Sequence, residues 1–170
     1  MVSVGCLYYY ISFYYECDND LSKFETRLMV EIVPMEKWWH LEYSIKVAQK
    51  AFSNIDVQEV RYQITHPEAF YFVALAHGTG VKGFAGVKKT HANRYIWEFT
   101  WNAVLPEFQK QGIGRALVEK RVELVKEKGG RAIILSTGKP EVYEKYGFEP
   151  VYQIPGDWSN VVMMMSLGED

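Results

Sequence analysis

The sequence has few of the residues that build metal centres or disulfide-bonded scaffolds. A Cys-x-x-Cys pair is a usual signature of zinc and redox sites. The two cysteines of this chain, Cys6 and Cys17, do not form one. The four histidines show no ligand spacing either. We therefore expect no metal site and a cytoplasmic protein with two free thiols. A single disulfide between Cys6 and Cys17 is the alternative.

The chain also lacks an excess of either charge. It contains 19 Lys and Arg against 21 Asp and Glu, a net charge of -2. Proteins that hold nucleic acid need a basic surface, so we expect no nucleic-acid partner. With 170 residues, 48% of them hydrophobic, the chain is long enough to form one globular domain with its own core. A small-molecule site is the better expectation.

No apolar stretch is long enough to predict a membrane helix. Residues 1–15 carry no charged side chain, but no Lys or Arg precedes them and the run ends at Glu16. A spanning helix needs roughly 20 apolar residues. Aromatic and β-branched residues instead predict a strand over Leu7–Tyr15, within an extension of residues 1–26. This strand or hairpin could extend the sheet, cover it, or pair two subunits in a homodimer.

Hydrophobic periodicity predicts alternating strands and helices in a single domain over residues 27–170. The order favours an α/β fold of three layers with a partly antiparallel sheet. The predicted strands cover residues 27–34, 70–77, 81–89, 94–104, 131–137, 151–154 and 161–167. The predicted helices cover residues 38–52, 56–64, 112–128 and 140–146.

A first glycine motif has the wrong structural context for its usual function. Gly78–Gly83 matches the dinucleotide fingerprint Gly-x-Gly-x-x-Gly, which must be followed by a helix. Phe84–Lys89 instead has a strand pattern. We predict a hairpin turn here, which argues against a nicotinamide-dependent oxidoreductase.

A second glycine pair, Gly112 and Gly114, lies where a predicted helix begins. Each glycine costs about 1 kcal/mol in a helix relative to alanine, so bare backbone should serve a purpose there. The N–H groups of a helix start bind phosphate, and Lys110 and Arg115 could neutralise it. The alternative is a glycine loop that only joins a strand tightly to a helix.

These glycines belong to a longer stretch that resembles a known family. Val104–Leu117 reads VLPEFQKQGIGRAL and resembles the acetyl-CoA motif of the GNAT superfamily of N-acetyltransferases, Gln/Arg-x-x-Gly-x-Gly/Ala. Val142–Phe148 reads VYEKYGF and resembles the second signature of that family. The resemblance covers about residues 29–167. It implies a three-layer α/β/α sandwich (α+β) around a mixed, mainly antiparallel sheet with a splayed central strand pair.

The resemblance also implies acetyl-CoA as the cofactor. It places the cofactor on the turn that contains Gly112 and Gly114, which we call the glycine turn. Its diphosphate would rest on the N–H groups from Gln109 to Ala116, and its pantetheine arm would lie beside the splayed strand end as an added strand. The cofactor-binding residues implied in this way are Ala103, Val104, Gln109, Lys110, Gln111, Gly112, Gly114, Arg115 and Ala116.

Glu98 is the candidate catalytic base, because an amine attacks a thioester only when neutral and holds its proton up to about pH 10. Strand alternation predicts Glu98, Thr100 and Asn102 on one side of their strand. The same alternation places Trp97, Phe99 and Trp101 on the other. A polar row on a strand that is expected to be central should face a cleft. In addition, some GNAT members resemble this chain in carrying a glutamate base at the position of Glu98. A water chain, or a carboxylate with no catalytic role, is the alternative.

Tyr143 matches the tyrosine with which GNAT enzymes protonate the departing thiolate. A tyrosine that only packs its helix is the alternative. Two positions depart from the family pattern: Tyr146 replaces a leucine, and the asparagine that many members carry upstream of the tyrosine is missing, with Ser136 and Thr137 nearest.

Together these features predict an N-acetyltransferase that transfers acetyl directly to the amine of a small molecule or peptide in a ternary complex. We expect the loop between the first two helices and the hairpin at residues 155–160 to decide acceptor choice. A non-catalytic acyl-CoA sensor or interaction module is the alternative function.

Overall fold

The computed structural model describes residues 30–76, 80–153, 156 and 160–168. The strand predicted over residues 7–15, the boundary at residues 26–27 and most of the 155–160 hairpin lie outside these ranges. The strands are β1 (Val30–Pro34), β2 (Ala69–Ala76), β3 (Gly80–Lys89), β4 (Ile96–Val104), β5 (Ala132–Thr137), β6 (Glu149–Gln153) and β7 (Val161–Ser166). The helices are α1 (Trp38–Ala51), α2 (Val57–Ile64), α3 (Ile113–Glu127) and α4 (Pro140–Glu144).

The seven strands form one mixed sheet in the order β1-β2-β3-β4-β5-β7-β6. Every neighbouring pair is antiparallel except β4 and β5, which run parallel over only three residue pairs, from Ile96↔Ala132 to Glu98↔Ile134. Beyond Glu98 these two strands diverge. The expectation of a mixed sheet with a splayed central pair is confirmed.

Helices cover both faces of the sheet, which gives the three predicted layers. On one face α1 and α2 bury an apolar stripe against the sheet, including Val47 and Val60, and Asp56 caps α2 by accepting from the Gln58 N–H at 2.8 Å. On the other face α3 buries Val118 and Val125 beneath the β4–β5 region. Below we call these the α1 face and the α3 face. None of the helices in the described ranges is both long and apolar enough to cross a membrane.

The described part of the first glycine motif, residues 80–83, lies at the start of β3, and residues 77–79 lie outside the described ranges. β2 and β3 pair antiparallel up to Ala76↔Gly80, and the chain after Gly83 continues as β3 rather than as a helix. The structural context of a dinucleotide-binding turn is therefore absent from this described segment.

A β-bulge in β4 overturns the alternation expected for this strand. Val87 on β3 pairs with Phe99, whereas Ala85 pairs with Asn102, so two steps on β3 span three on β4. The extra residue reverses the side on which later side chains point. Phe99 packs on the α3 face, whereas Trp101 contacts Phe52 at the end of α1.

The predicted grouping of side chains on β4 is accordingly wrong after residue 100. Trp97 and Phe99 share the α3 face, but Trp101 does not join them. Likewise, Glu98 and Thr100 remain on the α1 face, while Asn102 turns to the α3 face, where it contacts Tyr143. The bulge thus delivers a polar side chain to the face that carries the glycine turn and α4.

Candidate active site

The glycine turn after β4 has backbone conformations that expose its N–H groups. Gly112 is the N-cap of α3 with φ of 86°, and Lys110 also lies in the left-handed region with φ of 60°. Glycine is needed at position 112 for this φ. A Cβ added to Gly112 or Gly114 would meet no atom within 4 Å, so both glycines present an open surface.

Hydrogen bonding inside the protein narrows the stretch of N–H groups that could hold an anion. The Ala116 N–H donates to the Gly112 carbonyl at 3.0 Å, and the Gln109 N–H donates to the Pro106 carbonyl at 3.3 Å. The N–H groups of Ile113, Gly114 and Arg115 lie in the first turn of α3 and have no acceptor within the helix. The predicted contributions of Gln109 and Ala116 through their N–H groups are therefore not supported, because carbonyls of the protein already accept from both donors.

The glycine turn forms one end of a groove with a volume of about 1090 Å³. The groove runs along α3 and is also lined by residues of α4, the turn after it and β7. Five of the predicted cofactor-binding residues line it, and these are Gln109, Lys110, Gly112, Gly114 and Arg115. The other lining residues are Val118, Glu119, Val122, Glu123, Lys126, Val142, Lys145, Tyr146 and Met165.

The groove combines a cationic end with an apolar floor. Lys110 and Arg115 lie at the turn, and Lys145, the C-cap of α4, also lines the groove. Arg115 forms an exposed ion pair with Glu119 at 2.7 Å, a type of pair that contributes little to stability. Sequence reasoning missed Lys145, although it lies within the second family motif, two residues after Tyr143.

The splayed end of β4 presents the backbone of Val104 to the gap between the diverging ends of β4 and β5. The Leu105 N–H donates to the Lys82 carbonyl on β3 at 2.9 Å, and successive residues of a strand direct their backbone groups to opposite edges. The Val104 carbonyl accepts a hydrogen bond from Gln109 Nε2 at 3.1 Å, which ties the strand end to the glycine turn. Ala103 is 1% exposed, so Val104 is the more accessible of the two predicted residues.

Tyr143 on α4 lies on the α3 face beside the splayed part of β4. Its ring packs edge-on against Phe148 with centroids 5.8 Å apart. Its hydroxyl oxygen accepts a hydrogen bond from Asn102 Nδ2 at 3.2 Å. The neighbouring residues Val142 and Tyr146 line the groove, so Tyr143 lies at the boundary between the groove and the sheet.

Glu98 lies on the opposite face, at the last paired position before β4 and β5 diverge. Its carboxylate pairs with Lys88 Nζ at 3.4 Å, and the two side chains are 42% and 36% exposed. Nearby, Thr100 Oγ1 donates to Tyr71 Oη at 3.0 Å. Burial raises the pKa of Tyr71 to about 12, and the Glu98 charge acts in the same direction. Glu98 and Tyr143 therefore lie on different faces of the sheet, on either side of the gap.

A buried cation, Arg121, lies between α3 and the bulge. It is 0% exposed, its Nε and Nη1 donate to the Leu117 and Gly86 carbonyls at 3.0 and 3.1 Å, and its guanidinium lies 3.8 Å from the centroid of Phe99. No ion pair joins Arg121 to a carboxylate in the described ranges. Burial lowers the pKa of Arg121 to about 10, with an opposing effect from Tyr143, so the side chain stays cationic at neutral pH.

Comparison with known proteins finds a family model that matches the segment carrying this geometry. Residues 67–150 match the family model described as the acetyltransferase (GNAT) domain. The matched segment runs from before β2 to within β6 and includes Glu98, the glycine turn and Tyr143. No curated protein matches the sequence.

Solved structures share the fold at low sequence identity. The ribosomal-protein-S18-alanine N-acetyltransferase from Escherichia coli is 19% identical with a TM-score of 0.70, over 84% of this chain and 96% of that chain. The PaiA N-acetyltransferase from Thermoplasma acidophilum, in complex with coenzyme A, is 19% identical with a TM-score of 0.66, over 82% and 99%. An aminoglycoside 6'-N-acetyltransferase complexed with coenzyme A is 18% identical with a TM-score of 0.69, over 84% and 99%.

Proposed function

Because residues 67–150 match the model of the GNAT acetyltransferase domain, we propose that the chain transfers the acetyl group of acetyl-CoA directly to an amine in a ternary complex. The observation that carries this proposal is the groove lined by the glycine turn, together with the hydrogen bond from Gln109 on that turn to the Val104 carbonyl at the splayed end of β4. Two structural neighbours are named as coenzyme A complexes, which supports acetyl-CoA as the donor.

The donor's diphosphate is assigned to the first turn of α3. The N–H groups of Ile113 to Arg115 converge there without helical acceptors, and the helix dipole favours an anion at the same point, by about 0.3 to 2 kcal/mol per charge. Lys110, Arg115 and Lys145 supply neutralising charge around it. The pantetheine arm would then reach the gap and pair with Val104 as an added strand.

In the proposed reaction the base and the acid act from opposite faces of the sheet, beside the gap between β4 and β5. The neutral amine attacks the thioester carbonyl, a C–N bond forms, and the C–S bond breaks to release the thiolate. The proton lost by the amine goes to Glu98, directly or through water. Tyr143 donates its phenolic proton to the sulfur from the α3 face, and solvent returns a proton to the phenolate. Direct transfer needs no nucleophilic side chain, so no covalent enzyme intermediate forms.

We assign the acceptor to the class of amines and place its binding site on the α1 face. Glu98 lies on that face, and the Phe52–Trp101 ring pair, with centroids 5.5 Å apart, lies at the end of α1 on the same face. The names of the neighbours include a ribosomal-protein alanine and an aminoglycoside as acceptors, both of which offer an amine. Acceptor choice within this class would depend on the α1–α2 loop.

A thiol-release assay with an amine panel tests the proposal. The purified protein is mixed with acetyl-CoA and peptides, polyamines or aminoglycosides, and released coenzyme A is titrated while mass spectrometry identifies the acetylated amine. We expect amine-dependent thiol release and an amide product for at least one class. Binding of acetyl-CoA by calorimetry, with no thiol release across the whole panel, would instead favour a non-catalytic acyl-CoA sensor.

A further inference from the structure

We propose that Asn102 is a positioning residue that prepares Tyr143 to protonate the leaving thiolate. This inference rests on the proposed function and extends it to a residue that neither glycine motif contains. The contact that carries it is the hydrogen bond from Asn102 Nδ2 to Tyr143 Oη at 3.2 Å.

The bulge in β4 brings Asn102 to this position. Regular alternation would have left Asn102 on the α1 face with Glu98 and Thr100, but the extra residue turns it to the α3 face. Contacts on both faces of the sheet fix the position of the bulge. Arg121 Nη1 binds the Gly86 carbonyl from the α3 face, and a Cβ on Gly86 would collide with Thr100 Oγ1 and the Tyr71 ring on the α1 face. The register that directs Asn102 toward Tyr143 is therefore fixed by packing.

The direction of the hydrogen bond suits a proton donor. Because the amide N–H donates to the phenol oxygen, the phenolic O–H remains free to donate to the sulfur of the departing thiolate. After that proton moves, the phenolate oxygen keeps the amide as a donor, and hydrogen bonds to a charged group are stronger than those to a neutral one. The interaction therefore strengthens as the proton transfer proceeds, which favours the transition state.

Two further features support a role beyond packing. Asn102 Oδ1 is buried and has no hydrogen-bond partner among the described residues. Such an arrangement costs stability and calls for an explanation, which the hydrogen bond from the amide nitrogen to Tyr143 supplies. The cation Arg121 is buried on the same face and has no carboxylate partner in the described ranges. A nearby positive charge favours a transient phenolate.

A double-mutant cycle with Tyr143 tests the proposal. We expect Asn102→Ala to lower kcat about tenfold, with the KM for acetyl-CoA within about twofold of wild type. Asn102→Asp should be at least as slow, because a carboxylate cannot donate to the phenol oxygen and instead accepts a hydrogen bond from the phenolic O–H. In the Tyr143→Phe background, Asn102→Ala should change kcat by less than about twofold, because the hydroxyl through which it acts is gone.

The pH profile of kcat also separates positioning from structure. Its alkaline limb should move to higher pH in Asn102→Ala, because the negative charge that develops on the phenol oxygen loses a hydrogen-bond donor. Asn93→Ala is the matched control, because Asn93 makes a single side-chain bond to the Tyr95 N–H in an exposed turn, and it should keep wild-type kcat.

The outcomes distinguish this inference from the proposed function. If Tyr143→Phe is slow but Asn102→Ala and Asn102→Asp match wild type, the inference is overturned and the function stands. An equal loss from Asn102→Ala with and without the Tyr143 hydroxyl also overturns it, since that result indicates a structural effect. If wild type releases no thiol with any amine, the proposed function fails, and the inference that rests on it fails with it.

Discussion

The two faces of β4 each place a polar β4 side chain against a tyrosine hydroxyl, with different consequences. On the α1 face, Thr100 donates to Tyr71, which is 5% exposed and packs in the core. On the α3 face, Asn102 donates to Tyr143, whose neighbours on α4 line the groove. The same local interaction therefore holds a core residue on one face and a candidate proton donor on the other. Access to the groove, rather than the hydrogen bond itself, distinguishes them.

The sharpest test of this contrast removes one hydroxyl at a time. Tyr143→Phe should lower kcat about 100-fold, in the range of general acid catalysis, with little change in the melting temperature. Tyr71→Phe should leave kcat within about threefold of wild type and lower the free energy of unfolding by about 1 kcal/mol, the net value of one hydrogen bond. Steady-state kinetics and urea unfolding of both variants give the comparison, and equal kcat losses would contradict it.

Alkaline unfolding probes the core tyrosine alone. Burial raises the pKa of Tyr71 from its ordinary value near 10 to about 12, so the folded state keeps a proton that the unfolded state releases. The contribution of the protonated Tyr71 phenol to the free energy of unfolding is complete below about pH 10 and is lost as the pH rises through about 12. Wild type should lose up to about 2 to 3 kcal/mol more than Tyr71→Phe over this window, measured by urea unfolding. Parallel curves for the two proteins would show that Tyr71 titrates normally.

The α1 face is expected to supply the base. Glu98→Gln should lower kcat/KM about tenfold near pH 7, and the deficit should shrink toward pH 10, where the amine loses its proton without help. Lys88→Ala, which releases Glu98 from its ion pair, should not produce the same loss. A pH-independent deficit in Glu98→Gln would argue for a structural effect and leave proton removal to water.

Local features of the site could be predicted from the sequence, because each depends on a few neighbouring residues. The helix that begins beyond Gly112, its end near Gly129 and the strands around it follow from periodicity and glycine positions. The use of the Ala116 N–H within α3 also follows from the i to i−4 pattern of a helix with its N-cap at Gly112, although the sequence interpretation assigned that donor to phosphate.

Features that depend on strand pairing were not predictable from one strand alone. The bulge in β4 arises where Gly86 of β3 meets Thr100 and Tyr71, a contact between segments distant in sequence. The role of Asn102 depends on that bulge. Arg121 left a signal, since it interrupts a buried stripe between Leu117 and Val125, and a charge at a core position deserves a search for buried carbonyl partners. The predictions for residues 1–26, cytoplasmic location and a homodimer stay predictions.

The most direct test of the account measures coenzyme A affinity when the first turn of α3 is given a negative charge. Gly114 is the second residue of α3, and a side chain there would meet no atom within 4 Å, so Gly114→Glu should fold while repelling the diphosphate. Gln58→Glu is the matched control, because Gln58 is the exposed second residue of α2 on the other face. We expect calorimetry to show affinity at least about tenfold weaker for Gly114→Glu and unchanged for Gln58→Glu. Wild-type affinity in a folded Gly114→Glu protein would contradict the placement of the diphosphate on this turn.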